Sequence, residues 1–348
     1  MMTARVAGMG WVTPAGRDLL SVWRAIRENA RPEATNLESP VSKMAIPVLR
    51  VPENLVRDVA AFSRLRRSSS ISRFAVAASA DAAAAAGMTP EKLARTALIC
   101  VVSDGGVVYT RRFYADLVER GEGAGSPLLF PETVYNAPAS HVAAALGLQG
   151  EVLTLVGDAA SGLAAIRTGC ELLASGEADY CLICAAQELD WITCEAYVRW
   201  GLIQSGFNEA SLFSEGAAAI LLDRESGPLM ISATHAGYSC PNERDARDRL
   251  DAVIADLLPG SRVAVCVSGA AGTRLGTAEM SCLERIFPAT KVLSPKSVLG
   301  ESLSCSAMQQ VIAAALALGE IGDGDALVTS VGYSRQVSGL ILTRKRTA

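Results

Sequence analysis

The residues best spaced for chemistry lie in Gly157-Asp-Ala-Ala-Ser-Gly162, which follows the apolar run at 152–155 and opens a helix that the spacing carries to about residue 175. A strand that turns sharply through small residues into a helix holds the tip of the turn against backbone N–H groups and the positive end of the helix dipole. Such elbows commonly present a nucleophile. The tip here is Asp158 or Ala159, and neither is Ser, Cys or Thr. Ser161 reads as a capping hydroxyl. Only two histidines occur, His141 and His235, so imidazole catalysis and His-rich metal sites have little to draw on.

The elements that must position this elbow belong to a long, apolar chain. At 348 residues it can bury a large core as one domain or two intimately packed halves. Half of its residues are apolar, 20% are charged and the mean hydropathy is +0.27, the profile of an Ala-rich globular protein. The apolar runs fall short of the roughly 20 residues of a membrane span, and the N-terminal apolar stretch is too short for a secretory signal, so a cytoplasmic protein without membrane contact is expected. Nine cysteines sit singly, several in apolar runs (Cys100, Cys181, Cys184, Cys266), which predicts reduced, buried thiols and no metal site. The net charge of −4, with basic residues dispersed apart from Arg64, Arg66 and Arg67, leaves nucleic acid without an electrostatic footprint.

In chain order, the first strand reads Arg5-Val-Ala-Gly-Met-Gly-Trp-Val-Thr-Pro-Ala-Gly16, where Gly8 and Gly10 permit close backbone approach and Thr13-Pro14 with Gly16 ends it in a turn, and a helix follows over 19–28. Residues 30–52, with four prolines, read as a surface loop. An Ala-rich helix is predicted over 72–87, a buried strand over 96–102, an amphipathic stretch over 109–119 and a small-residue helix over 136–146. After the elbow helix, with its stripe of Leu163, Ile166, Cys170 and Leu173, comes a buried strand at 180–184. His141 reads as a packed or interface residue, and His235 as part of a surface strand.

The C-terminal third echoes this order. The strand and glycine turn at 262–272 resemble 96–106, and the run from Val292 through a helix with Ala307, Val311, Ala314 and Leu318 to a strand at 326–330 resembles 152–184. Two α/β halves packed in layers follow, with 1–223 as the first and 224–348 as the second, forming one integrated unit.

Together these pieces resemble the β-ketoacyl synthase family of the thiolase fold, nearest to the synthase I/II type, over essentially the whole chain. Val6-Ala-Gly-Met-Gly-Trp-Val-Thr-Pro-Ala-Gly16 looks like the opening T-G-x-G-x-V-T-P-x-G strand, Phe213-Ser-Glu-Gly-Ala-Ala218 like F-x-x-G-E-G-A, and Ser294-Pro-Lys-Ser-Val-Leu-Gly-Glu301 like S-x-K-x-x-x-G-H. The resemblance implies two pseudo-repeated halves in an α-β-α-β-α stack. The family's chemistry needs a Cys that takes the acyl chain as a thioester and two His that drive malonyl decarboxylation and stabilise the enolate. Motif for motif, the Cys position is Ala159 and the His positions are Gly269 and Glu301. Lys296 survives from the catalytic set, and the G-F-G-G-T-N loop reads Gly332-Tyr-Ser-Arg-Gln-Val337. Asp158, Lys296, Glu301, Thr273 and Tyr333 are then a remnant site without a catalytic residue, and no cofactor is implied.

Such a chain resembles the chain-length-factor subunit of two-component polyketide synthases, which pairs with an active synthase subunit and helps bound the acyl tunnel. Ala159 stands where the aromatic polyketide factors have Gln, and 213–269 is short for the family, which points toward factors of aryl-polyene or other polyene systems. The resemblance implies a heterodimer with an active β-ketoacyl synthase through 136–155, acyl carrier protein met through the complex, and Leu128, Phe130, Val134, Tyr135 and Asn136 as interface and tunnel candidates. Carrier docking falls mainly on the active partner, with Arg64, Arg66 and Arg67 a weaker candidate. A rival reading makes the chain an enzyme, with Asp158 and Glu301 as a carboxylate pair or Cys305 as an activated thiol near a helix start. Against it stands the plain alternative: Asp158 caps the elbow helix through its backbone amides, Glu301 pairs with Lys296 and Cys305 packs. A third reading is a pure scaffold for a synthase.

Overall fold

Gly8 and Gly10 set how deeply the Ser70–Ala85 helix sinks onto the first strand, because a Cβ on either would collide with the helix backbone at Ala82 or Ala78. Alanines on the facing side of that helix complete the close fit. The computed structural model describes residues 3–60, 62–202, 212–258, 263–270 and 274–345. Among them fourteen strands occur: β1 (Ala4–Val12), β2 (Thr35–Glu38), β3 (Ala45–Leu49), β4 (Thr96–Val102), β5 (Val152–Val156), β6 (Tyr180–Gln187), β7 (Phe213–Ser214), β8 (Gly216–Asp223), β9 (Leu229–Thr234), β10 (Tyr238–Ser239), β11 (Val265–Val267), β12 (Lys291–Leu293), β13 (Gly324–Val331) and β14 (Gln336–Arg344).

The main sheet has the order β12-β11-β13-β14-β9-β1-β8-β6-β4-β5. Read from either end the pattern is the same. In β5-β4-β6 and in β12-β11-β13 the strands are parallel, and in each half two antiparallel strands then lead to the seam between β1 and β9. The echo seen in the sequence is thus an echo in strand order.

Alternation explains the layers, since successive side chains of a strand point to opposite faces. In β4, Ile99 and Val101 join the Ala159–Ser175 and Ser306–Ile321 helices, while Leu98, Cys100 and Val102 join the Ser70–Ala85 and Ala137–Leu146 helices. In β11, Val265 and Val267 face the same two central helices, and Cys266 faces the outer Glu243–Leu257 and Arg274–Ile286 helices. Strands covered on both faces are continuously apolar, as parallel sheets require. The architecture is the layered α/β thiolase-like stack.

Three expectations need correction. Residues 30–52 carry β2 and β3, which pair with each other and, through β3, with the distant β7. The stretch Leu303–Ile321 is long and apolar enough to cross a membrane by length and composition, yet 78% of its window is buried. It is a central core helix. His235 lies just beyond β9, not within a strand, and its ring contacts Asp256 at 3.2 Å and Tyr238.

Candidate functional site

β5 ends at Val156, Gly157 N donates to Val102 O at 3.0 Å, and the helix starts at Ala159. This is the strand-to-helix elbow. Ser103 Oγ donates to Gly157 O at 2.8 Å and accepts from Ser304 N at 3.1 Å, so the elbow is tied to the turn that precedes the second central helix. Ala159 is buried at the first helical position.

Asp158 does not cap the helix. It stands at the N-cap position without a side-chain bond to the helix amides, and its Oδ2 accepts from Ser334 N at 2.5 Å across the sheet. The expectation of a capping aspartate is corrected on this point: the loop after β13 comes close enough to compete for the carboxylate. Gly332 makes that approach possible, since a Cβ there would overlap the Asp158 carboxyl. Asp158 is 5% exposed, and its Oδ1 has no hydrogen-bond partner.

Lys296 and Glu301 form the ion pair that the plain alternative expects. Nζ donates to Glu301 Oε2 at 2.6 Å, with both side chains sealed from solvent. Leu303 N at 2.9 Å and Ser306 Oγ at 2.7 Å donate to the other oxygen, Oε1. Leu303 has φ +44°, a left-handed conformation that costs a non-glycine residue roughly 1 kcal/mol or more, and its bond to Glu301 helps hold it. The Glu301 carboxylate is therefore committed to internal partners on both oxygens.

Cys305 stands at the start of the Ser306–Ile321 helix but is fully buried. Burial pushes its thiol well above the ordinary value, with Cys184 and Glu301 adding to the effect and a bond from Ser302 opposing it. A thiol so placed stays protonated and out of reach, which contradicts its reading as an activated nucleophile.

Gly269 N donates to Glu279 Oε1 at 2.8 Å, and Thr329 Oγ1 donates to the same oxygen at 2.6 Å. Glu279 is sealed, and burial raises its pKa against the opposing pull of Thr329, Gly269 and Lys296. Its Oε2, Gln310 Oε1 and Ser330 Oγ are buried without partners in the neighbourhood of Gly269. Glu279 and Gln310 escaped sequence reading because each looks like one polar residue on an ordinary helix. Thr273 lies outside the described residues.

Tyr333 follows Gly332 and packs edge-on against Tyr197, with ring centroids 5.5 Å apart at 88°. Tyr197 in turn meets Phe213 at 5.6 Å and 90°. Burial raises the Tyr333 phenol, and Glu301, Tyr197 and Asp158 raise it further. That hydroxyl is buried without a partner. Tyr197, on the Trp191–Arg199 helix, carried no signal in the sequence beyond being aromatic. A separate cleft of about 550 Å³ is lined by Arg50, Arg57, Arg73, Arg111 and Trp191 among others, and shares none of the elbow residues.

The interface candidates lie together outside this site. Leu128, Phe130, Val134, Tyr135 and Asn136 are exposed, as are Tyr114 and Val118, and Phe130 stacks on Phe113 at 5.7 Å. β5 is the edge of the main sheet, and its Val152 and Val156 are 43% and 55% exposed. A hollow of about 400 Å³ opens between Phe130, Val134, Asn136 and His141. His141 Nε2 contacts the buried Glu132 at 2.6 Å, a packed position at the border of this face. Arg66 and Arg67 are exposed.

Residues 4–227 match the family model of the β-ketoacyl synthase N-terminal domain. The chain belongs to the β-ketoacyl synthase family. No curated protein matches it in sequence. Among solved structures it is similar to the ishigamide ketosynthase/chain length factor, with 21% identity, a TM-score of 0.83 and coverage of 99% of this chain and 100% of that one. It is similar to a type II polyketide synthase acyl carrier protein complex with its ketosynthase bound to the hexaketide, with 16% identity, a TM-score of 0.81 and 99% of each chain covered. A β-ketoacyl synthase from Burkholderia phymatum gives 18% identity, a TM-score of 0.83 and coverage of 99% and 100%. The β-ketoacyl synthase fold is thus spanned from end to end.

Proposed function

We propose that this chain is a non-catalytic, chain-length-factor-like partner of an active β-ketoacyl synthase in polyketide, aryl-polyene-type or fatty-acid-like biosynthesis. The observation that carries the reading is the Lys296–Glu301 pair beside an elbow that starts with Ala159. A carboxylate bound on both oxygens takes the place the family gives to a histidine, and an alanine cannot hold a thioester. Glu301 as an anion would also oppose an enolate forming nearby.

The exposed apolar face from β5 to Leu128 supports the partner role, because an uncovered sheet edge with valines and aromatics is a surface that proteins cover. The partner is an active synthase subunit carrying Cys and two His, and acyl carrier protein reaches the complex through it. Leu128, Phe130, Val134 and Tyr135 would then bound the tunnel where the two subunits meet. We also place the junction of the two halves at 223/224, where β8 ends.

The test is to purify the chain alone and with candidate synthases and to offer malonyl- and acyl-loaded carrier protein. Turnover only in the complex is expected. Turnover by the isolated chain that disappears in Glu301→Gln or Asp158→Asn would overturn the reading. Replacement of Leu128 or Phe130 by smaller residues in the complex should lengthen the product; an unchanged distribution would mean a scaffold role.

A further inference from the structure

A cleft of about 550 Å³ opens where the segment after β3 meets the starts of two helices, Ser70–Ala85 and Val107–Arg120. Arg50, Arg57, Arg73 and Arg111 all line it, in a chain whose net charge is −4. Buried acids account for two of the four. Asp190 and Glu215, 3% and 5% exposed, hold Arg111 at 2.8 Å and Arg50 at 3.0 Å. Asp190 also accepts from Ile192 N, and Glu215 from Val51 N and Leu189 N. Glu188, 1% exposed, accepts from Ile71 N, Val108 N and Ser69 Oγ. These three carboxylates are satisfied from within the protein, and two of them brace guanidinium forks. Glu53, the remaining acid of the lining, is exposed.

Arg57 and Arg73 are left over. Among the described residues neither guanidinium meets a carboxylate. Arg73 makes one bond, to Ser70 Oγ at 3.3 Å, and its Nε is buried without a partner. A donor turned away from water without an acceptor costs free energy that a bound anion would recover. Most of the remaining lining is apolar, with Val56, Phe74, Val108 and Trp191, and the Arg111 guanidinium lies 5.9 Å from the Trp191 ring centroid. The volume falls within the roughly 300–1,000 Å³ of small-molecule sites.

We propose that this cleft binds a small phosphate ester, with its phosphate on Arg57 and Arg73 and its organic part against Trp191. Arg50 and Arg111, already braced, border the anion with the donors that their carboxylates leave free. The site shares no residue with the elbow and does not rest on the partner reading above. A concave site suits a group that enters it, whereas Arg66 and Arg67, exposed and outside the cleft, belong to the open surface.

The experiment titrates the full chain with inorganic phosphate and with phenyl phosphate by calorimetry, at constant ionic strength so that screening is the same throughout. Phenyl phosphate should bind saturably and at least about 3-fold more tightly than inorganic phosphate, because its ring adds contact with Trp191. Arg57→Gln and Arg73→Gln should each weaken phenyl phosphate at least about 10-fold, the loss expected for one charge-assisted bond. Arg66→Gln should leave it within about 2-fold, as screened surface charge predicts. Trp191→Ala should bring the two probes to equal affinity. Arg57 is exposed, so Arg57→Gln decides the matter if Arg73→Gln does not fold. Absence of saturable binding, or equal weakening by all three arginine changes, would overturn the site. Equal affinity for the two probes in the unaltered chain would overturn the ester assignment. Displacement of phenyl phosphate by acyl carrier protein would make the cleft a protein-docking surface and overturn the small-molecule reading.

Discussion

Lys296 Nζ lies 2.6 Å from Glu301 Oε2, and the two side chains are 3% and 1% exposed. The pair closes a buried charge within five residues of chain, and Leu303 N and Ser306 Oγ complete the carboxylate's coordination. Breaking such a pair from one side leaves an uncompensated buried charge, which typically costs about 3–5 kcal/mol. Lys296→Ala and Glu301→Ala should each lower the unfolding free energy read from urea denaturation by this order, and Lys296→Met with Glu301→Leu should lose less than the sum of the single changes. Equal additivity in equilibrium unfolding would show that the two groups do not act as a pair.

Glu279 should behave in the opposite way. Its folded pKa is raised by burial, so its contribution to stability is full below the unfolded pKa and is lost as pH rises through the folded value. Above the unfolded pKa, holding this carboxyl in its buried place costs stability. Glu279→Gln keeps an oxygen for Gly269 N and Thr329 Oγ1 and should stabilise the fold by about 1 kcal/mol at pH 7, with a smaller gain at pH 5. Thermal unfolding across that range would show the gain growing as pH rises.

The thiols set an alkaline limit. Burial raises Cys170, Cys181 and Cys266 to about 12, above the unfolded value, so the folded state retains protons that the unfolded chain releases. Stability is therefore full below about pH 8.5 and falls above it, by up to about 1.4 kcal/mol per pH unit for each such thiol. Urea unfolding at pH 8 and pH 10 should show a marked drop, and Cys→Ser or Cys→Ala at one of the three should flatten the slope in proportion.

Much of this architecture was legible from periodicity, because its elements are long and strongly patterned. The 19–28 helix, the buried 96–102 strand and the elbow at 157–162 fall where spacing puts them. The β2–β3 hairpin was hidden because its prolines mask a strand that is completed by Phe213 and Ser214, far along the chain. The same distance hid the Asp158–Ser334 bond, which joins residues 176 apart, whereas Lys296 and Glu301 are close enough in sequence to be read as partners. The edge-on packing of Tyr197 against Phe213 and Tyr333 depends on ring orientation, which residue types do not encode.

Charge on the edge strand should disrupt association without unfolding the chain. Val152→Asp and Val156→Asp place carboxylates on exposed positions of β5, where little is lost within the subunit. In co-purification with a matching synthase, each should weaken recovery of the complex at least about 10-fold while the melting temperature of the isolated chain stays within about 2 °C. Undiminished recovery would place the partner on another face.

Gly8 should tolerate no side chain. Even Gly8→Ala drives a Cβ into the backbone of the Ser70–Ala85 helix, and overpacking of this kind costs about 1–3 kcal/mol or more. A chemical denaturation midpoint unchanged in Gly8→Ala would mean that the helix can ride away from β1.

The elbow divides its labour at Gly157. Val156, on the strand side, looks out to solvent at 55% exposure, and Asp158, on the helix side, is turned inward to Ser334. Two neighbouring stretches of backbone thus answer to different constraints, one to solvent and the other to the interior. A substitution that alters the inward carboxylate can therefore leave the outward valines of β5 untouched, and the reverse holds as well.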